Sequence, residues 1–487
     1  MKKAIVLMMA MLMLLTACAG DGGAVVTTEN SQNNNQPTEE VTVDIAPQIP
    51  DEILPEEMTE FRIFTQGWYG HTPLDIVDIG IEEDSDDVVV HAAFTRDLII
   101  EEKMNVSVIN VSHPECYGSY NDLANEMLAG CPYDLLILRS AVFTTAVQND
   151  LLMDLGSPDL TYFDPSKPYW DEKAYESMAM FGKHFGVVGD FSVSDDLTLF
   201  ALFFNKDMRT AYGFDNPYDL VKSGEWTYEA MYNMAKDAAG QLNDDDVMTY
   251  EDRWGITYLR DTVSGMINSV GIQFGEADED GLPYISFYTQ ANVDKVLKIF
   301  DYLYDTDTCY NIHARGGDEV KVFTDGRALF TFGGIYYAPQ MRLAETGVEF
   351  GILPYPKYDT EQEDYISSIS PLFLTVLCNS KNCISEDLAL KSAVMEEYAY
   401  YGHEKVLPAF YDILLMGRIA KDVETQEILD FIFGNVAYDI VNIFNFGDLP
   451  FFVIDMTMTS NRDIASVYQK YIARAEGQIS KLIQKYD

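Results

Sequence analysis

Tyr133-Asp134-Leu135-Leu136-Ile137-Leu138, running into Arg139-Ser140, is the stretch from which the fold is read. Its near-continuous apolar run is the pattern of a strand buried on both faces, as in parallel sheets. The run breaks at Arg139-Ser140 into a segment with helical spacing. Upstream, Asn121 to Leu128 has helical periodicity and Val106-Ser107-Val108-Ile109-Asn110-Val111 reads as a strand. Ala92 to Met104 reads as a charged amphipathic helix, and Phe61-Arg62-Ile63-Phe64-Thr65 as the first strand. Strands alternating with helices predict a largely parallel, doubly wound α/β sheet. In such sheets ligands sit beyond the carboxyl ends of the strands. Trp68 and Tyr69 in the loop after the first strand, and Arg139 and Ser140 after the apolar strand, are therefore positional candidates.

Downstream, Phe203 to about Tyr355 repeats the mixed pattern, with a helix from Trp226-Thr227 onward and strands at Trp254-Gly255-Ile256-Thr257-Tyr258 and Ala328-Leu329-Phe330-Thr331-Phe332. From Tyr365 a strand-like Leu372 to Leu377 gives way to mostly helical sequence after Glu386. A chain of 487 residues, 47% of them hydrophobic, has material for two or three lobes with large cores. Its 32 Lys and Arg against 79 Asp and Glu give a net charge of −47. With no basic stripe past residue 3, nucleic acid and anionic lipid surfaces are poor partners.

The N-terminus has Lys2 and Lys3, an apolar stretch from Ala4 to Leu15, and then Leu15-Thr16-Ala17-Cys18. These are signal-peptide proportions, too short to span a bilayer. The last four residues resemble a bacterial lipobox, which implies cleavage before Cys18 and its diacylation, leaving an extracytoplasmic protein anchored to the cell membrane as a lipoprotein. Residues 18–58, rich in Gly, Thr, Asn, Gln, Pro and Glu, read as the lipidated cysteine and a flexible polar tether. Five further cysteines remain, Cys116, Cys131, Cys309, Cys378 and Cys383, an odd number that cannot all pair within one chain. Cys378 with Cys383, and Cys116 with Cys131, are near enough in sequence to bridge; buried free thiols are the equal alternative.

Further motifs share an order that resembles the extracellular solute-binding lipoproteins of ABC importers, in the branch dominated by carbohydrate binders. Asn149-Asp150-Leu151-Leu152-Met153-Asp154-Leu155 resembles the family's closing segment after the apolar strand and helix. Gly186-Val187-Val188-Gly189-Asp190, leading to Phe203-Phe204-Asn205-Lys206-Asp207, resembles the crossing between lobes. Tyr212-Gly213-Phe214, Pro217 and Glu225-Trp226-Thr227 resemble the turn before a lobe-two helix, and Phe323 to Phe330 through Gly333-Gly334-Ile335-Tyr336, then Phe350 to Pro356, resemble later family motifs.

The resemblance implies a two-lobed periplasmic-binding-protein-like type 2 fold, each lobe a mostly parallel sheet flanked by helices, with a helical C-terminal part. The expected boundaries are a signal peptide at 1–17, a first lobe at 59–192, a second at 193–356, and at 357–487 a return to lobe one with helices packing across both. The implied function is capture of a small solute, a mono- or oligosaccharide, by hinge closure and its delivery to ABC permease subunits by a monomer. No catalytic residue is expected. Motif placement nominates Trp68, Tyr69, Arg139, Tyr258, Arg260 and Tyr336 for the ligand, with Tyr117, Tyr120, Asp190 and Asp196 as weaker positions.

Gln241 to Asp252 looks like a degenerate calcium loop, with oxygens at Asn243, Asp245, the Val247 carbonyl and Asp252; a solvated acidic turn is the competing reading. No other cofactor is expected. The alternatives to an importer subunit are a ligand-binding sensor lipoprotein or a peptide or polyamine binder, and last a surface glycosidase, which would need two carboxylates across a cleft but has no local signature here.

Overall fold

The apolar strand forms as Leu135–Arg139, buried along its whole length. This is a computed structural model; it describes Ala24–Val25, Thr42–Val43 and residues 45–66, 79–113, 119–243, 247–318, 320–344, 347–370, 373–383, 387–415 and 423–486. Leu135–Arg139 lies inside a four-stranded sheet whose order is Thr375–Cys378, Leu135–Arg139, Thr59–Gln66, Val106–His113. The three strands read from the sequence are mutually parallel, with Ile63 opposite Leu135 and Val111 opposite Phe64. The helix between the first two of them covers Val88–Met104, four residues longer than its periodicity suggests. The Asp87 carboxylate caps it by accepting from the amides of Val89 at 3.0 Å and Val90 at 3.1 Å. Asn105, left-handed at φ 51, ends it and turns the chain into the next strand.

A second sheet of five strands has the order Cys309–Asn311, Trp254–Tyr258, Ala328–Gly334, Phe200–Asn205, Phe350–Leu353. Its first two pairings are parallel and its last two antiparallel. Its pairings are therefore evenly mixed, although only Phe200–Asn205, the strand by which the chain enters it, runs against the other four. Gly255 shows how tightly its helices pack: a Cβ there would lie 2.2 Å from the Ala235 carbonyl oxygen in helix Tyr228–Ala238. That helix starts where the sequence reads it, with the Thr227 hydroxyl accepting from the Ala230 amide at 3.2 Å.

The two sheets are joined by chain that crosses outward after Val187 and returns before Leu377. The crossings run antiparallel: Val187 and Leu377 exchange backbone hydrogen bonds at 2.9 and 3.0 Å, and the Ser370 amide donates to Thr198 at 3.0 Å. One apolar core extends from Phe64 and Leu136 in the first sheet through Phe203 and Phe330 in the second to Leu429 and Phe452 in the C-terminal helices. The packed body also begins within the stretch read as tether. Ile45 is buried, and Ile49, Ile53 and Leu54 pack with it against the first sheet. These apolar residues stand singly among Pro, Asp and Glu and have no period to betray them.

Among the described residues the C-terminal part is mostly helical from Leu388 onward, with one short strand, Val436–Ala437. Helix Leu388–Tyr401 runs on into a π-turn, Gly402–Val406, packed against the outward crossing. The last helix, Ile464–Tyr486, starts on the second lobe, where Tyr468 stacks on Phe287 and Tyr288. It ends on the first, where the Tyr486 hydroxyl donates to the Val147 carbonyl at 2.9 Å and its ring packs on Phe181 and Phe185.

Candidate functional site

The carboxyl ends of the first-sheet strands converge with the return crossing. Gln66 closes its strand, is buried, and accepts from the Arg139 amide at 2.8 Å through Oε1. Arg139, 3% exposed, carries its guanidinium over the Phe373 ring, 6.0 Å from the centroid. Phe373 is half-buried at the end of the return crossing, and Tyr336 meets it from the second lobe edge-on, centroids 5.8 Å apart at 85°. Tyr336 follows strand Ala328–Gly334, and its amide is tied to the outward crossing through Leu197 at 3.0 Å. Two of the expected residues, one from each lobe, thus meet on an aromatic ring at the junction of the crossings.

The same turn supplies polar groups. The Phe373 amide donates to the Ser370 carbonyl at 3.1 Å, and the Ser370 hydroxyl, 1% exposed, has no hydrogen-bond partner among the described residues. Phe64, two residues before Gln66 on the same strand face, lines a cleft of about 440 Å³ with Val111, Ser112, His113, Glu126 and Tyr133. Its mouth carries carboxylate, imidazole and phenol: Tyr133 donates to Glu126 Oε2 at 2.7 Å, and burial, then that carboxylate, push the phenol up. Neither Phe373 nor this cleft was nominated by the sequence. Phe373 lies in what reads as a strand from Leu372; the strand observed is Thr375–Cys378, which leaves Phe373 in the turn ahead of it.

Other expected positions lie elsewhere. Trp68, Tyr69, Tyr117, Asp245 and Cys18 fall outside the described residues. Tyr258 is 2% exposed inside the second lobe beside Asn311, which donates to the Thr457 carbonyl of helix Phe451–Met458 at 3.4 Å. Arg260 is exposed and pairs with Asp261 at 3.3 Å. Tyr120, on the helix after the second strand, accepts from Asn149 Nδ2 at 2.7 Å.

Asp190 lies on the outward crossing, where its Oδ2 meets His403 Nδ1 of the π-turn at 2.7 Å, both side chains buried. Burial pulls the imidazole down, but the hydrogen bond and charge of Asp190, with Glu404, leave it raised overall. Asp190 and His403 line a cavity of about 200 Å³ together with Trp170, Asp171, Asp195 and Tyr438. Asp196 is wholly buried, its amide donating to Asp195 Oδ1 at 3.0 Å.

In the acidic loop, Asn243 and Val247 are exposed, and Asp252 turns inward. Its Oδ1 accepts from the Leu242 amide at 2.8 Å, and its Oδ2 from the Thr249 amide at 2.7 Å and hydroxyl at 2.9 Å. Burial opposes its charge, yet these donors and Arg327 hold the carboxyl below its ordinary value. Both oxygens are already engaged by donors that close the loop. Among the described residues no group of three or more His, Cys, Asp and Glu could hold a metal ion.

No protein-family model matches the chain, and no curated protein matches it. Solved structures do match. The ABC substrate-binding protein Lmo0181 from Listeria monocytogenes, in complex with cycloalternan, is 14% identical, covering 88% of this chain and 100% of its own with a TM-score of 0.56. The apo form of RafE from Streptococcus pneumoniae is 11% identical over 87% and 99% of the two chains, TM-score 0.54. An ABC transporter solute-binding protein from Thermotoga lettingae, bound with alpha-D-tagatose, is 14% identical over 87% and 100%, TM-score 0.53. These likenesses establish the two-lobed solute-binding-protein fold, with the mixed α/β sheets described above.

Proposed function

We propose that the chain is the solute-binding component of an ABC importer, exported and held at the membrane by a diacylated Cys18, and that it takes an oligosaccharide between its lobes. The observation that carries this reading is the meeting of Arg139 and Tyr336 on Phe373 where antiparallel crossings join two α/β sheets. Aromatic faces suit the C–H patches of a sugar ring, and buried polar groups such as Ser370 Oγ suit its hydroxyls, whose unpaired burial costs about 1 to 3 kcal/mol each. Two of the three structures of this fold named above hold sugars, cycloalternan and alpha-D-tagatose, which supports a carbohydrate over a peptide or polyamine.

A solute that touches both lobes stabilises the closed arrangement only by the difference between its affinities for closed and open forms. Moving a population from 1:99 to 99:1 takes roughly 5.5 kcal/mol of that difference. The lobes are taken as 59–192 and 193–356 with a C-terminal return, the first extended to include the packing of Ile45. Binding without bond-breaking, by a monomer that hands its load to permease subunits, completes the reading.

A thermal-shift panel of linear and cyclic oligosaccharides, monosaccharides, peptides and polyamines tests it. Ligand at a hundredfold excess over Kd stabilises by about 2.7 kcal/mol. The expected result is a shift with an oligosaccharide recovered intact. A shift confined to peptides or polyamines, or release of cleaved sugar, overturns the proposal.

A further inference from the structure

Cys131 and Cys383 meet at the base of the first sheet. Cys131 follows helix Ser119–Leu128 in a left-handed turn, φ 26, and is 1% exposed. Cys383 lies after strand Thr375–Cys378 and is partly exposed. Both sulfurs converge on one carbonyl: Cys383 Sγ is 3.1 Å and Cys131 Sγ 3.7 Å from the Tyr133 oxygen, and Cys383 Sγ is also 3.9 Å from the Cys131 oxygen. Lys391, 1% exposed on helix Leu388–Tyr401, donates from Nζ to Cys383 Sγ and lies 3.6 Å from Asp134 Oδ1. A buried cation on a thiol favours the thiolate, the form that attacks disulfides.

We propose that Cys131 and Cys383 form a dithiol that closes reversibly to a disulfide by exchange with a disulfide donor, Cys383 attacking first and Lys391 acting as its positioning residue. The pairing differs from both pairs of sequence neighbours, and Cys309 and Cys378 are fully enclosed. In the first step the Cys383 thiolate attacks one sulfur of the donor R–S–S–R, giving a mixed disulfide and releasing R–S⁻. In the second, Cys131 loses its proton to that thiolate and attacks Cys383 Sγ, expelling the second R–S⁻. Two protein thiols are oxidised and the donor is reduced to two R–SH: the first takes the Cys131 proton, and the second takes from solvent the proton that Cys383 released on forming its thiolate. The hydrogen bond with Cys383, then burial, holds the Cys131 proton more tightly than in an ordinary thiol, which fits its acting second.

The bond would join positions 252 apart, enclosing the whole second sheet in one loop and restricting the unfolded chain. It does not depend on the solute reading.

The test is peptide mapping of the folded full chain after exposure to oxidised glutathione and alkylation of remaining thiols. The expected product is a Cys131–Cys383 peptide pair that dithiothreitol releases, with a higher thermal midpoint in the oxidised sample. C131S should trap glutathione on Cys383, and C383S should leave Cys131 unmodified. K391M should slow the exchange severalfold at about pH 7 and recover at about pH 9, with the same pair formed, as expected when a cation supplies thiolate. Full alkylation of both cysteines in oxidised wild-type protein, or their pairing with Cys116 or Cys378, overturns the proposal even if the variants do not fold.

Discussion

Glu396 is the perturbation with the clearest signature. It lies on helix Leu388–Tyr401, 2% exposed. Its Oε2 accepts from Trp170 Nε1 at 2.5 Å and its Oε1 from the Asp164 amide at 2.9 Å. Burial raises the carboxyl against these two donors, and the Asp164 charge adds to the rise, to about 8 from an ordinary 4.5. The folded state therefore holds a proton that the unfolded chain has lost between those values. Stability must fall as pH rises through that window, by ~1.4 kcal/mol per pH unit and on the order of 5 kcal/mol across it.

Glu396→Gln removes the titration and places an amide nitrogen against one of the two donors, a pH-independent cost of about 1 to 3 kcal/mol. Urea unfolding of both proteins across the window, read by tryptophan fluorescence, gives the comparison. The advantage of wild type over the variant should be greatest at the acid end, decline steadily, and reverse sign towards the alkaline end. A difference independent of pH would refute the reasoning, because every other titrating group is common to both proteins.

Phe373→Ala removes the ring that Arg139 and Tyr336 share, and should weaken oligosaccharide binding about tenfold, ~1.4 kcal/mol, by calorimetry. The unliganded thermal midpoint should move little, since the ring is only half-buried. Gly402→Ala places a Cβ 1.7 Å from the Asp190 carbonyl oxygen and should cost at least about 1 to 3 kcal/mol in urea unfolding. Gly434→Ala, with nothing within 4 Å, is its control and should stay within about 0.5 kcal/mol. His403 has a raised folded pKa, so its stabilisation is complete below the unfolded value of 6.5 and is lost as pH rises through the folded value. His403→Asn should accordingly show a deficit of roughly 3 kcal/mol on the acid side that narrows on the alkaline side, measured by denaturant unfolding at two pH values.

The alternation around Leu135–Arg139 was legible because each element there is long, periodic and local, and Trp254–Tyr258 and the Thr227 helix start were read for the same reason. The reversal of Phe200–Asn205 within the second sheet was not, since that direction depends on where the chain enters the lobe. Arg139 and Tyr336 could be placed from motif order at strand ends. Phe373 could not, because an aromatic in a short apolar run reads as strand whether it pairs or turns. Cys131 and Cys383 escaped because pairing by sequence distance favours neighbours, while the fold joins residues from opposite ends of the first lobe. Tyr258 shows the converse: a carboxyl-end position is interior, beside Asn311, which bonds to Thr457 of helix Phe451–Met458 far along the chain.

The last helix bears on how far the lobes can swing. Its 23 residues make a rod of about 34 Å, at ~1.5 Å per residue, that barely stretches. With Tyr468 moored to one lobe and Tyr486 to the other, any gape that lengthens the span between moorings must unship one of them. Rotation about the rod's own axis meets no such obstacle. The helix acts as a stay, favouring a twisting motion over a jaw-like one.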